Sequence, residues 1–593
     1  WNGTSWSPYE PIHSAHLDQN IVFEGDYAAN KNLYGCSCEV KSGAVVIHEN
    51  YTLKVTNDVK VNGGSLTFLN TASLVQTNDV ANTGNITYNR TTPTVRTTDY
   101  IYWSSPVSGQ TIADFSPTVG SIKYYYDLGW KAPSDLDVMA KGLGYIIRGQ
   151  VTSNAKYDAS FVGVPNNGPA SITANTPAKY YLVGNPYPSA LDAYTFIEDN
   201  LNAVNRIQEN GLNGALYFWE HSSDNNTHIL VDYKGGYAVL NLSGGVAPVV
   251  PAGISGVGLS AKIPKQYIPV GQGFFVYGKT GGGGPVIFNN GQRSFQKESD
   301  LPASVSNTLF RTNSTTKKAK TTILNANDPV KKDTYKKIRL GFNSSNNYHR
   351  QVLLAFMGEK ATSGIDYGYD ARRMDNYPND MYLINGNEKL VIEGESIFNK
   401  KSSYPIGVKT ATAGVVEFKL DSLENFNKEQ PIYIYDDVTK TYNNIRKNGY
   451  KVTLPQGENK TRFALRFNAK VKSNANGNNG NNDNIENEEE DENNSEANRT
   501  TEQTVTDNQN NDYDITISHL QESNMLIINN TKPDITVEKV TLYNSLGQSV
   551  NSWEVGQQTQ QNIQIPINSI STGIYIAQIK TTTGIISKKI ILK

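Results

Sequence analysis

Five groups of residues come nearest to chemistry: Cys36 with Cys38, His13 and His16 with Asp18, His221 with Asp224 and His228, Glu220, and the long tyrosine and tryptophan runs. The cysteines are two apart, so in a strand they share a face, with Cβ atoms farther apart than the about 3.8 Å a relaxed disulfide needs. Without neighbouring histidines they make a poor zinc site, and the expectation is of buried thiols beside a β rung. The two histidine groups lie among prolines, asparagines and turn residues, where the spacing puts no two imidazoles on one face. They read as loops. Glu220 ends an aromatic strand and is the kind of acid a glycosidase uses, but a solvated strand end explains it more simply. Neither a nucleophile elbow, a His-Glu zinc motif nor a phosphate loop occurs, and Gly281-Gly282-Gly283-Gly284 precedes a strand rather than a helix, as a hairpin loop does. The expectation is that the protein is not an enzyme and holds no metal or cofactor.

The aromatics are the better functional signal. Trp103, Tyr124, Tyr125, Tyr126, Trp130, Tyr217, Phe218, Trp219, Phe274, Phe275 and Tyr277 exceed what one strand pair needs. Alternation sends half of each run outward, where rings can stack on sugars or form a protein interface. Trp103, Tyr125, Tyr217 and Trp219 are the candidate ligand contacts, a surface glycan or polysaccharide being the candidate ligand. Filling the core of a large sandwich is the simpler reading for the set as a whole.

The elements that would position these residues are strands. From Gly43 to Tyr88, triplets such as Val45-Val46-Ile47, Leu53-Lys54-Val55 and Leu66-Thr67-Phe68 are too short to stand alone, and stack as rungs of a small β-helix. Residues 1–92 are thus expected to be β-helix-like. Residues 93–305 repeat themselves: Asp99–Pro106 echoes Lys179–Pro186, Ile122–Tyr126 parallels Ala215–Trp219, and Lys141–Arg148 matches Val270–Tyr277. A duplicated β-unit forming a β-sandwich follows. After Asn185-Pro186-Tyr187-Pro188, which must end a strand, Ser189 is placed as the N-cap of a short helix with Asp192 three residues on, and Ile112–Phe115 is its weaker counterpart. Residues 330–469 alternate cleanly, as in a sandwich or jelly roll that folds by itself. Residues 470–512 are an Asn/Glu-rich acidic stretch that buries nothing and reads as a flexible linker. Residues 513–593 resume as a small six- or seven-stranded sandwich. The fold class is all-β and multidomain: a short β-helix-like region, then β-sandwich or jelly-roll domains, then a small C-terminal β-sandwich.

At 593 residues the chain exceeds one core. A formal charge of −2 with scattered basic residues leaves no footprint for nucleic acid. Two cysteines make no disulfide framework. No apolar run spans a bilayer, so no transmembrane segment is expected, and an export signal would have been removed before Trp1.

The final module resembles the C-terminal sorting domain of proteins exported by the type IX secretion system of Bacteroidota. Val540–Gln548 and Gly573–Ile579, with Gly584–Lys593, carry the likeness by their order, spacing and position. Upstream, Asn185–Asp192 and Asp366–Ala371 look like large flavobacterial surface proteins of that class. The resemblance implies secretion or cell-surface display across the outer membrane, with the translocon and its shuttle barrel as partners. Leu542, Tyr543, Leu546, Gly547, Gly573, Tyr575, Lys588 and Lys589 are the expected recognition residues. Where the common type A form has a Tyr-Pro-Asn-Pro-like opening, this chain has Ser518–Glu522, which leaves cleavage open. The passenger is expected to be a non-enzymatic adhesive or structural protein, with carbohydrate binding or carbohydrate chemistry as the alternative.

Overall fold

The structure is a computed structural model that describes residues 1–92, 95–117, 123–149, 155–174, 176–201, 211–221, 235–249, 263–279, 284–298, 333–346, 348–469, 515–520, 525–530, 535–543, 549–555, 562–567, 570, 573–582 and 584–592. It divides into two compact units, Trp1–Asn474 and Ala475–Lys593. The linker expected at 470–512 lies outside the described residues.

The first unit opens with a three-sided parallel β-helix. Its faces are the ladders Ile21–Glu24/Cys38–Ser42/Val59–Val61, Tyr27–Ala29/Ala44–Ile47/Ser65–Phe68 and Leu33–Gly35/Thr52–Val55/Ser73–Gln76. Inward side chains stack from rung to rung: Leu33 on Leu53 on Leu74, and Ile47 on Phe68 on Tyr88. Burying each such leucine contributes about 2 kcal/mol, which is how triplets too short to stand alone hold together. At one corner the chain crosses so tightly that only glycine fits. Gly43 and Gly64 have φ of 82° and 75°, and a Cβ on Gly64 would lie 2.1 Å from the Gly43 carbonyl oxygen. Polar side chains form a ladder at another corner. Asn78 donates to the Asn57 side-chain oxygen at 2.8 Å, and Asn57 donates to Cys36 Sγ at 3.1 Å, steps of 21 residues. The helix begins at Ile21, a rung before the first triplet the sequence marks.

The expected boundary at residue 92 is crossed by a continuous sheet. Ile86–Thr91 is parallel to Ser65–Phe68 on one side and antiparallel to Asp158–Pro165 on the other, and Asp158–Pro165 also pairs with Val107–Ser108.

The strands of the two matched segments are arranged in the same order in two sheets. One sheet runs Tyr100–Trp103, Tyr145–Arg148, Lys123–Tyr126, Trp130–Lys131; the other runs Tyr180–Gly184, Gly273–Gly278, Leu212–His221, Gly235–Asn241, then Gly244–Val246. Matched strands occupy matched places. The helix after the second repeat's prolines is Ala193–Leu201, and its cap is Asp192, whose Oδ1 accepts from the Tyr194 and Thr195 amides. The N-cap placed at Ser189 is therefore corrected. Ala190–Asp192 is first used as a strand, pairing with Tyr267–Ile268 and Arg293–Ser294, and buried Ser189 accepts from Arg293 Nε. Ile112–Phe115 is helical and capped by Thr111.

Residues 336–466 form one eleven-stranded sheet from Thr441–Asn444 at one edge to Tyr450–Leu454 at the other. It curls until Phe418 and Phe463, well apart in strand order, have ring centroids 4.8 Å apart. Its other face is not free: Leu353, Ala355, Val391 and Ile392 share a core with Tyr217, Val239 and Val246 of the second repeat. The expectation that this block folds by itself does not fit a core it shares.

In the second unit, Ile515–Leu520, Met525–Asn530 and Asn562–Pro566 form one sheet, and Ser549–Glu554, Val537–Tyr543, Gly573–Thr581 and Gly584–Leu592 the other. Leu526, Ile528 and Ile563 meet Val540, Leu542, Ala577 and Ile579 between them.

Candidate functional site

Each repeat contains a Gly-x-Gly followed by an aromatic residue, Gly142-Leu143-Gly144-Tyr145 and Gly271-Gln272-Gly273-Phe274. The first glycine of each has a φ above +80°, at +85° and +81°, open to glycine at little cost. The second lets the partner repeat approach. A Cβ on Gly144 would lie 2.6 Å from Leu182 Cγ, and one on Gly273 would lie 3.1 Å from the Trp103 carbonyl oxygen. Trp103 bridges Gln272 and Val183 bridges Leu143, so each repeat reaches across to the other through the same two positions. This reciprocal crossing holds the two aromatic sheets face to face.

Phe275 is the hub of the resulting aromatic cluster. Tyr126, Trp130, Tyr102, Tyr237 and Tyr180 all meet its ring edge-on, with centroids 5.1 to 6.3 Å away. Tyr102 and Tyr237 share a hydroxyl hydrogen bond of 3.0 Å. Burial pushes both phenols up, so both stay neutral and the bond is between two hydroxyls. Tyr124, Tyr126, Trp130, Tyr180, Trp219 and Tyr277 are half-buried at the rim. Asp375 lies beside them: its Oδ2 accepts from the Tyr377 hydroxyl at 3.0 Å and the Tyr237 amide at 3.2 Å, and burial raises its pKa despite those bonds.

The four aromatics singled out in the sequence divide. Trp103 and Tyr217 are 1% and 0% exposed and fill cores, Trp103 edge-on to Phe115 and Phe161, so neither has a face to offer a ligand. Tyr125 and Trp219 are half-buried, with Trp219 parallel to Tyr102 at 6.3 Å. Glu220 lies in the Leu212–His221 strand opposite Gly236. Asp224 and His228 lie outside the described residues. His13 precedes and His16 ends the single 3-10 turn Ser14–His16, their ring centroids 5.6 Å apart. Cys38 is buried, its thiol pushed up to about 12 first by burial and then by Asp58 and Glu39, while Cys36 is half-buried; both are free. Among the described residues no group of three or more His, Cys, Asp or Glu is placed to hold a metal ion.

Sequence reasoning missed Arg293, which is 8% exposed. Its guanidinium bonds the Leu74 carbonyl at 2.7 Å, Asn167 Oδ1 at 2.7 Å and Asn290 Oδ1 at 3.1 Å, and lies 4.8 Å over the Tyr187 ring. It ties the last β-helix rung to the second repeat. Apart from Asn290, its partners Leu74, Asn167 and Tyr187 come from three distant segments, so little in the local sequence marks it.

In the C-terminal module, Leu542 and Tyr575 face inward and are 0% and 6% exposed, so they hold the sandwich rather than touch a partner. Tyr543 is half-buried on the outer face, where its hydroxyl donates to Gln578 Oε1 at 3.3 Å, beside Ile576 at 45% exposure. Lys588 is half-buried, and Gly573 and Lys589 lie in the paired strands Gly573–Thr581 and Gly584–Leu592. Leu546 and Gly547 lie outside the described residues.

The first unit is followed in the chain by a separate two-sheet module. Residues 522–593 match the secretion system C-terminal sorting domain, and the chain is a substrate of the type IX secretion system, carried across the outer membrane to the cell surface or the medium. That machinery is its partner. Residues 12–467 match the family described as Domain of unknown function (DUF8693), more than half of the chain, and the chain belongs to that family. No curated protein matches it. Among the described residues no helix is long and apolar enough to cross a membrane.

Proposed function

We propose that the exported passenger is a non-enzymatic adhesive or structural protein of the cell surface. The observation that carries this reading is the use made of buried charge. Asp380 is held between Arg350 and Arg373 at 3.1 and 3.0 Å, Asp436 by both arms of Arg462 at 2.8 Å, and Arg90 by Glu298 at 2.7 Å. Arg339 pairs with Glu424 on the neighbouring strand, and His349 with Asp421 across the intervening strand Lys336–Asn343. These groups join strands and segments distant in sequence, as a load-transmitting scaffold needs, and their charges are engaged by partners rather than poised for proton transfer.

The half-buried rim of Tyr126, Trp130, Tyr180 and Tyr277 supports a second reading, contact with a glycan through ring faces and phenol hydroxyls. Because the repeats share cores with both neighbours, the protein to test is the whole chain rather than a fragment. Host cells lacking the protein are compared with cells carrying it for attachment to abiotic and glycan-coated surfaces. Unchanged attachment, together with hydrolysis of any polysaccharide by the pure protein, defeats the adhesive reading.

A further inference from the structure

Between the second repeat and the curled sheet lies the loop Thr362–Asp370, whose tip is wedged into the repeat. The Gly368 amide donates to the Asn213 carbonyl at 2.8 Å, the Leu242 amide donates to the Gly368 carbonyl at 2.8 Å, and Ser243 Oγ donates to the Tyr369 carbonyl at 2.8 Å. The fit is close: Gly368 has a φ of +88°, and a Cβ on Gly214 would lie 2.4 Å from Gly368 Cα. The base of the loop is fastened to the strand Glu388–Glu395 through one carboxyl. Asp370 Oδ1 accepts from the Gly394 amide at 2.8 Å and Oδ2 accepts from the Asp366 amide at 2.5 Å.

Beside that fastening is a second acid. Glu393 is 4% exposed; its Oε1 accepts from Asn385 Nδ2 at 3.0 Å, while Oε2 is buried with no hydrogen-bond partner. A charged carboxylate with a bare, dehydrated oxygen is costly, and a protonated one costs far less. The charged and titratable groups around the pair are mostly acids or phenols. Asp366 stands on the loop, with its Oδ2 taken by Thr362, and Glu395 stands two residues along the same strand, bonded to Ser396. Tyr404 comes from the strand Ser403–Thr410, and Tyr369 from the loop; Lys360, Glu198 and Tyr335 act on Tyr369.

We infer that this loop is a proton-dependent latch: protonation of Glu393, beside the Asp370 fastening, seats the loop, and loss of that proton loosens the junction between the second repeat and the curled sheet. Burial is the first cause in both acids. It lifts Asp370 to about 7 against two amide bonds, and lifts Glu393 to about 8 with Asp370 adding to the rise. Both folded-state values lie above the unfolded ones, so the stabilisation is complete below the unfolded values and is lost as pH rises through about 7 to 8. The latch therefore closes in mildly acidic surroundings and relaxes in mildly alkaline ones.

Hydrogen exchange on the full chain tests this, read in peptides covering 362–370 and 390–396 at pH 5.5 and 8.5 with the intrinsic rate divided out. Protection in the wild type is expected to fall by at least about tenfold across that interval. Glu393→Gln, which keeps the shape of the protonated acid, is expected to keep most of its protection at pH 8.5. A wild-type protein with equal protection at both pH values overturns the inference, and so does a Glu393→Gln protein that loses protection as steeply as wild type. The wild-type comparison decides the matter even if the variant folds poorly.

Discussion

The Gly184 amide donates to the Gly142 carbonyl at 3.0 Å, and its counterpart one repeat away, the Ser104 amide, donates to the Gly271 carbonyl at 2.9 Å. Two copies of one β-unit thus hold each other by the same bond made twice, an internal version of the self-complementary contact of a symmetric dimer. The contact depends on absent side chains. A Cβ on Gly184 would lie 2.4 Å from the Ser104 Cβ.

Gly144→Ala and Gly184→Ala are therefore expected to lower stability by about 3 kcal/mol each, because the atoms they strike are packed side chains and backbone of the opposite repeat. Gly109→Ala, at a φ of +86° with nothing within 4 Å, is the control and is expected to cost about 1 kcal/mol. Urea unfolding followed by tryptophan fluorescence measures all three. Equal costs would mean that the close approach is unimportant.

Leu53→Ala removes the middle of the Leu33–Leu53–Leu74 stack, where Leu53 is 0% exposed. The expected loss is about 3 kcal/mol, read as a lowered urea midpoint. A loss below about 1 kcal/mol would mean the coil collapses to fill the gap.

Asp436 is pushed up by burial, but the Arg462 fork, the Tyr450 hydroxyl and the Val438 amide outweigh it and hold the carboxyl at about 2. With the folded value below the unfolded one, its stabilisation is present above about pH 4 and is lost as pH falls toward 2. Asp436→Asn should lower stability at pH 7 by about 3 kcal/mol, by leaving the half-buried Arg462 guanidinium without its charge partner, and should flatten the acid limb of the stability curve. Urea titrations from pH 2 to pH 7 measure both effects.

Removal of residues 522–593 is expected to abolish surface display and leave the passenger in the periplasm, seen by fractionation and immunoblot. Leu542→Asp should do the same by unfolding the module, since Leu542 is 0% exposed between its sheets. Tyr543→Ala should leave the module folded by circular dichroism, and a drop in export would then assign the outer face to recognition.

Trp130→Ala and Trp103→Ala separate the two uses of aromatics. Trp103 is in the core, and its loss is expected to cost about 4 kcal/mol. Trp130, half-buried at the rim, should leave the urea midpoint within about 1 kcal/mol of wild type and reduce attachment to glycan-coated surfaces. Attachment unaffected by Trp130→Ala would count against the glycan reading.

Much of this was legible in the chain because the signals are local or periodic. Triplets recurring beside Gly43 and Gly64 read as rungs, and Pro106 with Pro186 and the two Gly-x-Gly stretches mark the matched segments in the same order along the chain. Legibility failed where one residue serves two candidates. Ser189 and Asp192 both suit a helix cap, and the strand Ala190–Asp192, which needs partners at Tyr267 and Arg293 far along the chain, decided for Asp192. It failed again for Trp103 and Tyr217, because alternation says that two faces exist and not that both are covered. Trp103 shares a core with the β-helix and Tyr217 one with the curled sheet, so these two of the four rings offered as ligand contacts are interior.

By itself the sequence determined the all-β class, the β-helix, the duplication and the C-terminal sorting module, since each rests on residue spacing that the backbone must obey wherever it goes. Only the tertiary structure decided which aromatics stay wet, that Arg293 seals the end of the coil, and that Glu393 faces Asp370 without a partner for its second oxygen. Those facts depend on contacts between segments scores to hundreds of residues apart, and burial, unlike periodicity, is a property of the neighbours and leaves no mark on the residue itself.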